Sequence, residues 1–415
     1  LALAVAQIGT QLFGGRAGWL AGCALASMVG LPLATRADGV QVYATLLTWL
    51  GLGRILAVLA GRTRTRGATL VLGWLALGAA ANTGGLLSAL WPMAGLALYF
   101  VLAKRHRGWY DVDPTAGLLI VIGTCLPWYG LMTAIHGPAF VQAMAWFPYA
   151  AGTRAAWWSG VPLALSFVVV ASFPWAPLLG AALADATQRL RRIADAGVTE
   201  GPLDLEHLEH VLLALALVAG LPIMLYPGPP LTAALPALPA IALLVGRFVD
   251  RVLDGAGDVR ALRQATWMLA LVGTSFALLG VAFAARIPPA GAPLRLLSVA
   301  LFLSSWAPLL ADLRGQRSWA VALFALPIAL SAPIMQMRVL PRMEPWLNTR
   351  TVAETMERAS RADAPLVLFE SPPASLRQSL DRNLIFRTHV TRDDRDVRAH
   401  DGAVYAAYRP AREAL

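Results

Sequence analysis

Arg36 and Asp38 stand two residues apart in LPLATRADGVQVYATLL, Leu31 to Leu47, between two long apolar runs. A carboxylate can take a proton from a hydroxyl, and a guanidinium grips phosphate oxygens in pairs. The pair therefore suits chemistry on a phosphorylated substrate if it lines an aqueous cavity. If it lies at a water interface instead, Asp38 is a turn residue that caps the helix beginning at Gly39. Asn82-Thr83-Gly84-Gly85 lies between two further apolar runs with almost no loop. Gly-Gly alone accounts for a tight turn there, and a half-buried turn with its amides facing a ligand is the alternative. His136, Arg154 and Trp158 fall in CLPWYGLMTAIHGPAFVQAMAWFPYAAGTRAAWWSGVP, Cys125 to Pro162, where tryptophans and tyrosines gather. That stretch reads as an aromatic belt at headgroup level or as an interfacial helix and loop bordering a lipid-substrate cavity. Arg154 is the loop's cation and a candidate phosphate contact. Tyr226 opens YPGPPLTAALPALPAIALL, whose Pro236 and Pro239 must break a helix. The carbonyls so freed need partners, so the break belongs inside a bundle rather than against lipid.

Other conspicuous residues read more plainly. LEHLEHV holds His207 and His210 but is not a metalloprotease spacing, and it predicts a solvated helix. Cys23 and Cys125 both sit in apolar runs as small buried residues, with neither disulfide nor metal-thiolate spacing. Arg54 lies inside an apolar run and snorkels toward the nearer face.

The elements that position these residues are membrane helices. Of 415 residues, 57% are hydrophobic and 14% charged, with mean hydropathy +0.60. No soluble core of this length hides so much apolar surface, and runs of roughly 20 apolar residues match the ~30 Å hydrocarbon layer. The pattern predicts an all-α polytopic protein with about twelve spans: 1–13, 17–35, 39–61, 67–82, 84–103, 114–136, 161–185, 208–226, 229–247, 264–285, 292–311 and 317–336. The net charge of +10 does not mark a nucleic-acid binder, because the basic residues sit in short loops. Arg62, Arg64 and Arg66 follow the third span, Lys104 to Gly108 the fifth, and Arg189, Arg191 and Arg192 the seventh. Arg247, Arg251, Arg260 and Arg263 follow the ninth, and Arg314 and Arg317 the eleventh. Every second loop is basic and therefore cytoplasmic. The Arg36–Asp38 turn, the segment from Gly137 to Gly160 and everything after Met337 then face the exoplasm. A chain that starts outside implies an earlier span ahead of Leu1.

From Met337 the composition turns polar. Thr351 and Glu354 make a capping box, and Ser371-Pro372 opens a second helix. Ala364–Glu370, Asn383–Val390 and Ala403–Tyr408 read as strands. Residues 337–415 are expected to form a small exoplasmic α/β domain beside a membrane domain over 1–336.

The order of these features resembles the bacterial aminoarabinose transferase and protein mannosyltransferase family, GT-C glycosyltransferases that use polyprenyl-phosphate sugars. LALAVAQIGTQLFGGRAGWLAGCAL looks like that family's second span and its small-residue turn. PWYGLMTAIHGPAFVQAMAWFPYAAGTRAAWW looks like its exoplasmic PWY to PWW region, and FPWAPLL and YPGPPLTAALPALPAIALLVG look like two later segments. The likeness runs along most of the chain, each motif being loose. The family's first span and first exoplasmic loop, which holds its catalytic carboxylate, are not in this sequence. Asn82-Thr83-Gly84-Gly85 stands where the family has a Thr-Lys-Gly-Pro turn, and Thr232-Ala233-Ala234 where it has a His-Tyr pair.

The resemblance implies sugar transfer from a polyprenyl-phosphate donor to a lipid, glycan or protein acceptor at the exoplasmic face of a bacterial inner membrane. Asp38 would be the second acidic residue, orienting the acceptor or holding a divalent metal ion; no cofactor is otherwise implied. Arg36 and Arg154 would meet phosphate, and Asn82, His136, Trp158 and Tyr226 are further candidate substrate contacts. Membrane lipids are expected partners and nucleic acid is not. A catalytically inactive relative serving as a scaffold is one alternative. A lipid transporter or flippase is another, and it would predict inverted repeats and buried midplane charges that the sequence does not show.

Overall fold

The computed structural model describes residues 1–37, 39–105, 108–138, 140, 166–196, 202–225, 231–287 and 290–347, with three short strands beyond. It divides into two units, 1–279 with 298–332, and 280–297 with 333–415.

Among the described residues the first unit has helices and no strand. Its elements are α1 (Ala2–Phe13), α2 (Gly15–Ala26), α3 (Gly30–Ala37), α4 (Gly39–Leu59), α5 (Arg66–Gly84), α6 (Leu87–Leu102), the short α7 (Gly108–Val112) and α8 (Pro114–His136). Then come α9 (Ser166–Ser172), α10 (Ala176–Ala196), α11 (Leu205–Leu225), a 3-10 segment (Leu231–Ala237) and α12 (Leu238–Leu253). Helices α13 (Val259–Arg286) and α14 (Gly291–Leu313) follow, and the unit closes with α15 (Arg317–Ala322) and most of α16 (Leu326–Ile334).

Among the described residues, five helical stretches are long and apolar enough to cross a membrane, or seven if two bent pairs each count as one. The twelve expected spans are not reached by that measure, and for several of them the reason is geometric. α1 has 12 residues and α6 has 16; at 1.5 Å per residue these are about 18 and 24 Å, short of the ~30 Å layer. The expected span 17–35 is bent by 53° between α2 and α3, and 161–185 by 112° between α9 and α10. The span expected at 229–247 opens as a 3-10 segment because Pro236 cannot continue a helix. By contrast α8 begins at Pro114, where Asp113 caps the amide of Ala116, and ends at His136, as expected.

Small residues set how closely these helices approach. Gly14, with φ +106°, is the whole turn between α1 and α2. A Cβ on Gly18 would collide with the backbone nitrogen of Thr10, and one on Gly22 would lie 2.6 Å from the Ala6 Cβ. On the other side of α2, a Cβ on Gly246 of α12 would lie 2.7 Å from the Ala21 nitrogen. α2 is thus wedged between α1 and α12, backbone against backbone, as lipid-embedded helices pack when there is no hydrophobic force between them. Gly51 against Gly73 does the same for α4 and α5, and Gly95 against Leu215 for α6 and α11.

The helix breaks are joined to one another. The amide of Val29, between α2 and α3, donates to the Phe173 carbonyl, between α9 and α10, at 2.9 Å. The Trp175 indole N–H donates to Ser27 Oγ at 2.8 Å, and the Trp49 indole N–H to the Pro236 carbonyl at 3.0 Å. Trp49, Trp175, Met28 and Ala171 around these bonds are buried.

At the end of the bundle that carries the basic loops, charges are paired, and several of them are buried. Arg251 of α12 bonds Glu209 of α11 at 2.6 Å and also meets Asp185 of α10. Arg247 lies 3.4 Å from Glu209 and 3.3 Å from Asp250; Arg16, opening α2, reaches Asp250 at 2.5 Å and Asp254. His207 and His210 are buried rather than solvated, which corrects the reading of LEHLEHV. His210 Nε2 is 2.9 Å from the Ala186 carbonyl, and His207 meets Asp204 at 2.7 Å. The face of α11 that they share packs into the bundle beneath the ion pairs, so its polar residues are interior ones. Desolvation opposes ionisation of Asp204, but the His207 amide and ring outweigh it and hold this carboxyl below its usual range. Cys23 is exposed on α2, against expectation, because α1 and α12 take the other faces; Cys125 is buried, its thiol 3.5 Å from the Gly78 carbonyl.

The second unit holds the end of α13, the start of α14, a π-helical turn at Met335–Val339 and α17 (Leu340–Leu347). Its strands are β1 (Leu366–Phe369), β2 (Leu384–Arg387) and β3 (Val404–Ala406), all parallel in the order β2-β1-β3. Leu366 pairs with Leu384 on one side and Val404 on the other. These lie within the three expected strands; the two expected helices between 351 and 380 lie outside the described residues.

Two outcomes are expected. Gly18→Val should cost about 3 kcal/mol through overpacking, while Gly123→Ala, where a Cβ meets nothing within 4 Å, should be neutral or stabilise by about 0.5 kcal/mol; thermal unfolding in detergent compares them. Arg251→Met should cost about 3 kcal/mol in the same assay, because it leaves Glu209 and Asp185 short of their shared cation in a poorly hydrated site.

Candidate functional site

The end of the bundle opposite those ion pairs is formed by the close of α3, the start of α4, the turn from α5 to α6, the close of α8 and the 3-10 segment. α3 packs on α4 and on the 3-10 segment, α4 on α5, and α5 on α8. The 3-10 segment is anchored there by Trp49, whose ring lies tilted against Trp91 with centroids 6.3 Å apart while its N–H bonds Pro236.

Arg36 is in the last turn of α3 and is exposed. A cation is favoured at that end of a helix, where carbonyls point outward. Asp38 lies outside the described residues, as do Arg154, Trp158 and Tyr226. Asn82 is in the last turn of α5, half-buried, with its amide N–H donating to the Thr124 carbonyl at 3.1 Å. Its side-chain oxygen is buried with no partner among the described residues. It thus joins α5 to α8 alongside the bond from Tyr129 hydroxyl to the Ala81 carbonyl at 3.1 Å. His136 is the last residue of α8, exposed, with its ring stacked on Phe140 at 6.2 Å. Arg36 and His136 share this end of the bundle but sit on α3 and α8, with α4 and α5 between them.

Sequence reading missed a polar stripe. Gln41, Thr45 and Thr48 of α4 are 7%, 3% and 1% exposed. Ser88, at the start of α6, is buried beside them, and the Thr48 hydroxyl donates to its carbonyl at 3.1 Å. A Cβ on Gly84 would lie 2.6 Å from Ser88 Oγ and 3.7 Å from Gln41 Oε1, so the Gly84-Gly85 turn closes over the stripe. The Thr45 hydroxyl is buried with no partner among the described residues. The 41, 45, 48 spacing is the helical signal that marks these residues as one face. Polar groups on a membrane helix turn inward, and here they descend from the Arg36 end of α4 into the bundle. Amide and hydroxyl groups can hydrogen-bond a sugar or water without bringing charge into the layer, while Arg36 offers the charge that a phosphate needs. Among the described residues no group of three His, Cys, Asp or Glu is placed to hold a metal ion.

No family model matches the chain, and no curated protein matches it. Two solved structures are similar to it. One is ArnT from Cupriavidus metallidurans bound to undecaprenyl phosphate, with TM-score 0.69 and 16% identity over 98% of this chain and 73% of that one. The other is ArnT from the same organism in the apo state, with TM-score 0.69 and 16% identity over 93% of this chain and 68% of that one. At that identity the likeness carries the path of the backbone and leaves individual side-chain roles open. The chain therefore shares the fold of these two ArnT structures.

Proposed function

We propose that this protein is a membrane glycosyltransferase that moves a sugar from a polyprenyl-phosphate donor to a lipid, glycan or protein acceptor at the exoplasmic face. The observation that carries the reading is the shared fold over 98% of the chain with a protein whose structure holds undecaprenyl phosphate. The alternation of basic loops supports an orientation in which Arg36 faces the exoplasm of a bacterial inner membrane. In that orientation residues 337–415 form a small exoplasmic domain after a membrane domain over 1–336.

In the proposed reaction the acceptor oxygen attacks the anomeric carbon. The bond from that carbon to the phosphate oxygen breaks, and the polyprenyl phosphate leaves with the electron pair. The acceptor proton passes to a carboxylate. Asp38 orients the acceptor for this step or holds a divalent cation beside the phosphate. Arg36 and Arg154 offset the charge that grows on the leaving phosphate. Asn82, His136, Trp158 and Tyr226 border the donor's head.

Transfer from a radiolabelled polyprenyl-phosphate sugar, measured with the protein in membranes, tests the assignment. Asp38→Ala should lower turnover about 100-fold or more, and chelation of divalent ions should mimic it only if Asp38 works through a metal. Arg36→Ala should raise the donor KM about tenfold, the loss of roughly one charge-assisted contact. Unchanged rates in both variants reject the roles. A wild-type protein that binds donor and never transfers is the scaffold instead.

A further inference from the structure

Arg54 is a cation set well inside a long apolar helix. It lies inside α4, is exposed, and has no side-chain partner among the described residues. Leu59 ends α4 five residues further on, about 7.5 Å along the axis. A guanidinium left at that depth in hydrocarbon is costly, so its stem runs toward the interface. The facing helix makes room for it. Gly73 of α5 has no side chain, and a Cβ there would lie 3.3 Å from the Arg54 Cβ.

The hairpin end that Arg54 approaches is rigid and basic. The Gly61 amide donates to the Val58 carbonyl at 3.0 Å and the Arg62 amide to the Ala57 carbonyl at 2.8 Å, with Gly61 at φ +65°. This left-handed cap fixes Arg62 directly past the helix end. Arg62 and Arg64 are exposed and unpaired among the described residues. Among the described residues, Asp111 bonds Arg66 at 2.9 Å, Asp113 caps the Ala116 amide, and Asp204 is held by His207. Below the arginines the same hairpin presents Leu50, Val71, Leu72 and Leu75, each exposed by 39% or more. Unpaired cations above an open apolar face match an amphiphile, whose phosphate and acyl chains are covalently joined; a free anion would have no use for the lower half.

We propose that the end of the α4–α5 hairpin binds the headgroup of an anionic glycerophospholipid, with the phosphate held by Arg54 from the membrane side and by Arg62 and Arg64 from the water side. The site lies at the end of α4 remote from Arg36 and is independent of the proposed transfer.

Fluorescent phosphatidylglycerol titrated into the purified full chain in phosphatidylcholine nanodiscs tests this. Phosphatidylglycerol should be retained over phosphatidylcholine. Arg54→Gln should weaken it about fivefold and the pair Arg62→Gln with Arg64→Gln about twentyfold, one surface cation's worth per arginine. Arg54→Lys should keep most of the binding, and Arg314→Gln, at a different turn, should leave it unchanged. Arg54→Gln binding as tightly as wild type overturns the proposal. So does inorganic phosphate displacing the lipid at equal concentration, which would mark a site for a free anion.

Discussion

Backbone left unpaired in lipid has no water to turn to, and three interruptions of helix within this bundle meet that constraint together. The break between α2 and α3 bonds the break between α9 and α10 through Val29 and Phe173. Trp175 reaches across the same junction to Ser27, and Trp49 takes the carbonyl that Pro236 leaves at the head of α12. Two of the breaks therefore each supply what the other lacks, and the third is met by a side chain from α4. Bent segments of this kind let one end of a bundle diverge from regular packing and present polar groups, while the rest stays close-packed.

The two ends of the first unit are held by different physics. At the basic-loop end, the buried or nearly buried Arg247, Arg251, Glu209 and Asp250 of α11 and α12, with Asp185 of α10 and the exposed Arg16 of α2 at their edge, neutralise one another, an arrangement that specifies geometry more than it adds stability. At the other end there is no such cluster among the described residues. Neutral amides and hydroxyls line α4 there, and exposed Arg36 and His136 stand at the rim. Between them, glycines hold α1, α2 and α12 at backbone contact, so that a polar end can be open without loosening the middle.

How far this was legible in sequence depended on whether a signal was local. α8 ran from Pro114 to His136 as expected because a proline, a capping aspartate and a terminal glycine mark its limits. The three strands fell inside the expected apolar runs for the same reason. His207 and His210 were misread because an isolated polar helix face looks solvated until α10 and α12 are seen to cover it. Gln41, Thr45 and Thr48 were overlooked since three weakly polar residues barely lower the hydropathy of an apolar run; their spacing was the available clue. Whether a long apolar run is one straight span or a bent pair depends on tertiary bonds such as Val29 to Phe173, which no local pattern encodes. Of the candidate site, Arg36, Asn82 and His136 could be located, on three different helices at one end.

The asymmetry of the two thiols has a practical side. Cys125 is enclosed between α5 and α8, whereas Cys23 looks outward from α2 beside the close backbone contact of α1 with α2. A lipid-soluble alkylating dye or spin label should modify these 415 residues at one position without engineering, next to the α1–α2 hairpin. The native sequence thus offers a built-in spectroscopic reporter of whether that hairpin shifts when a ligand arrives elsewhere.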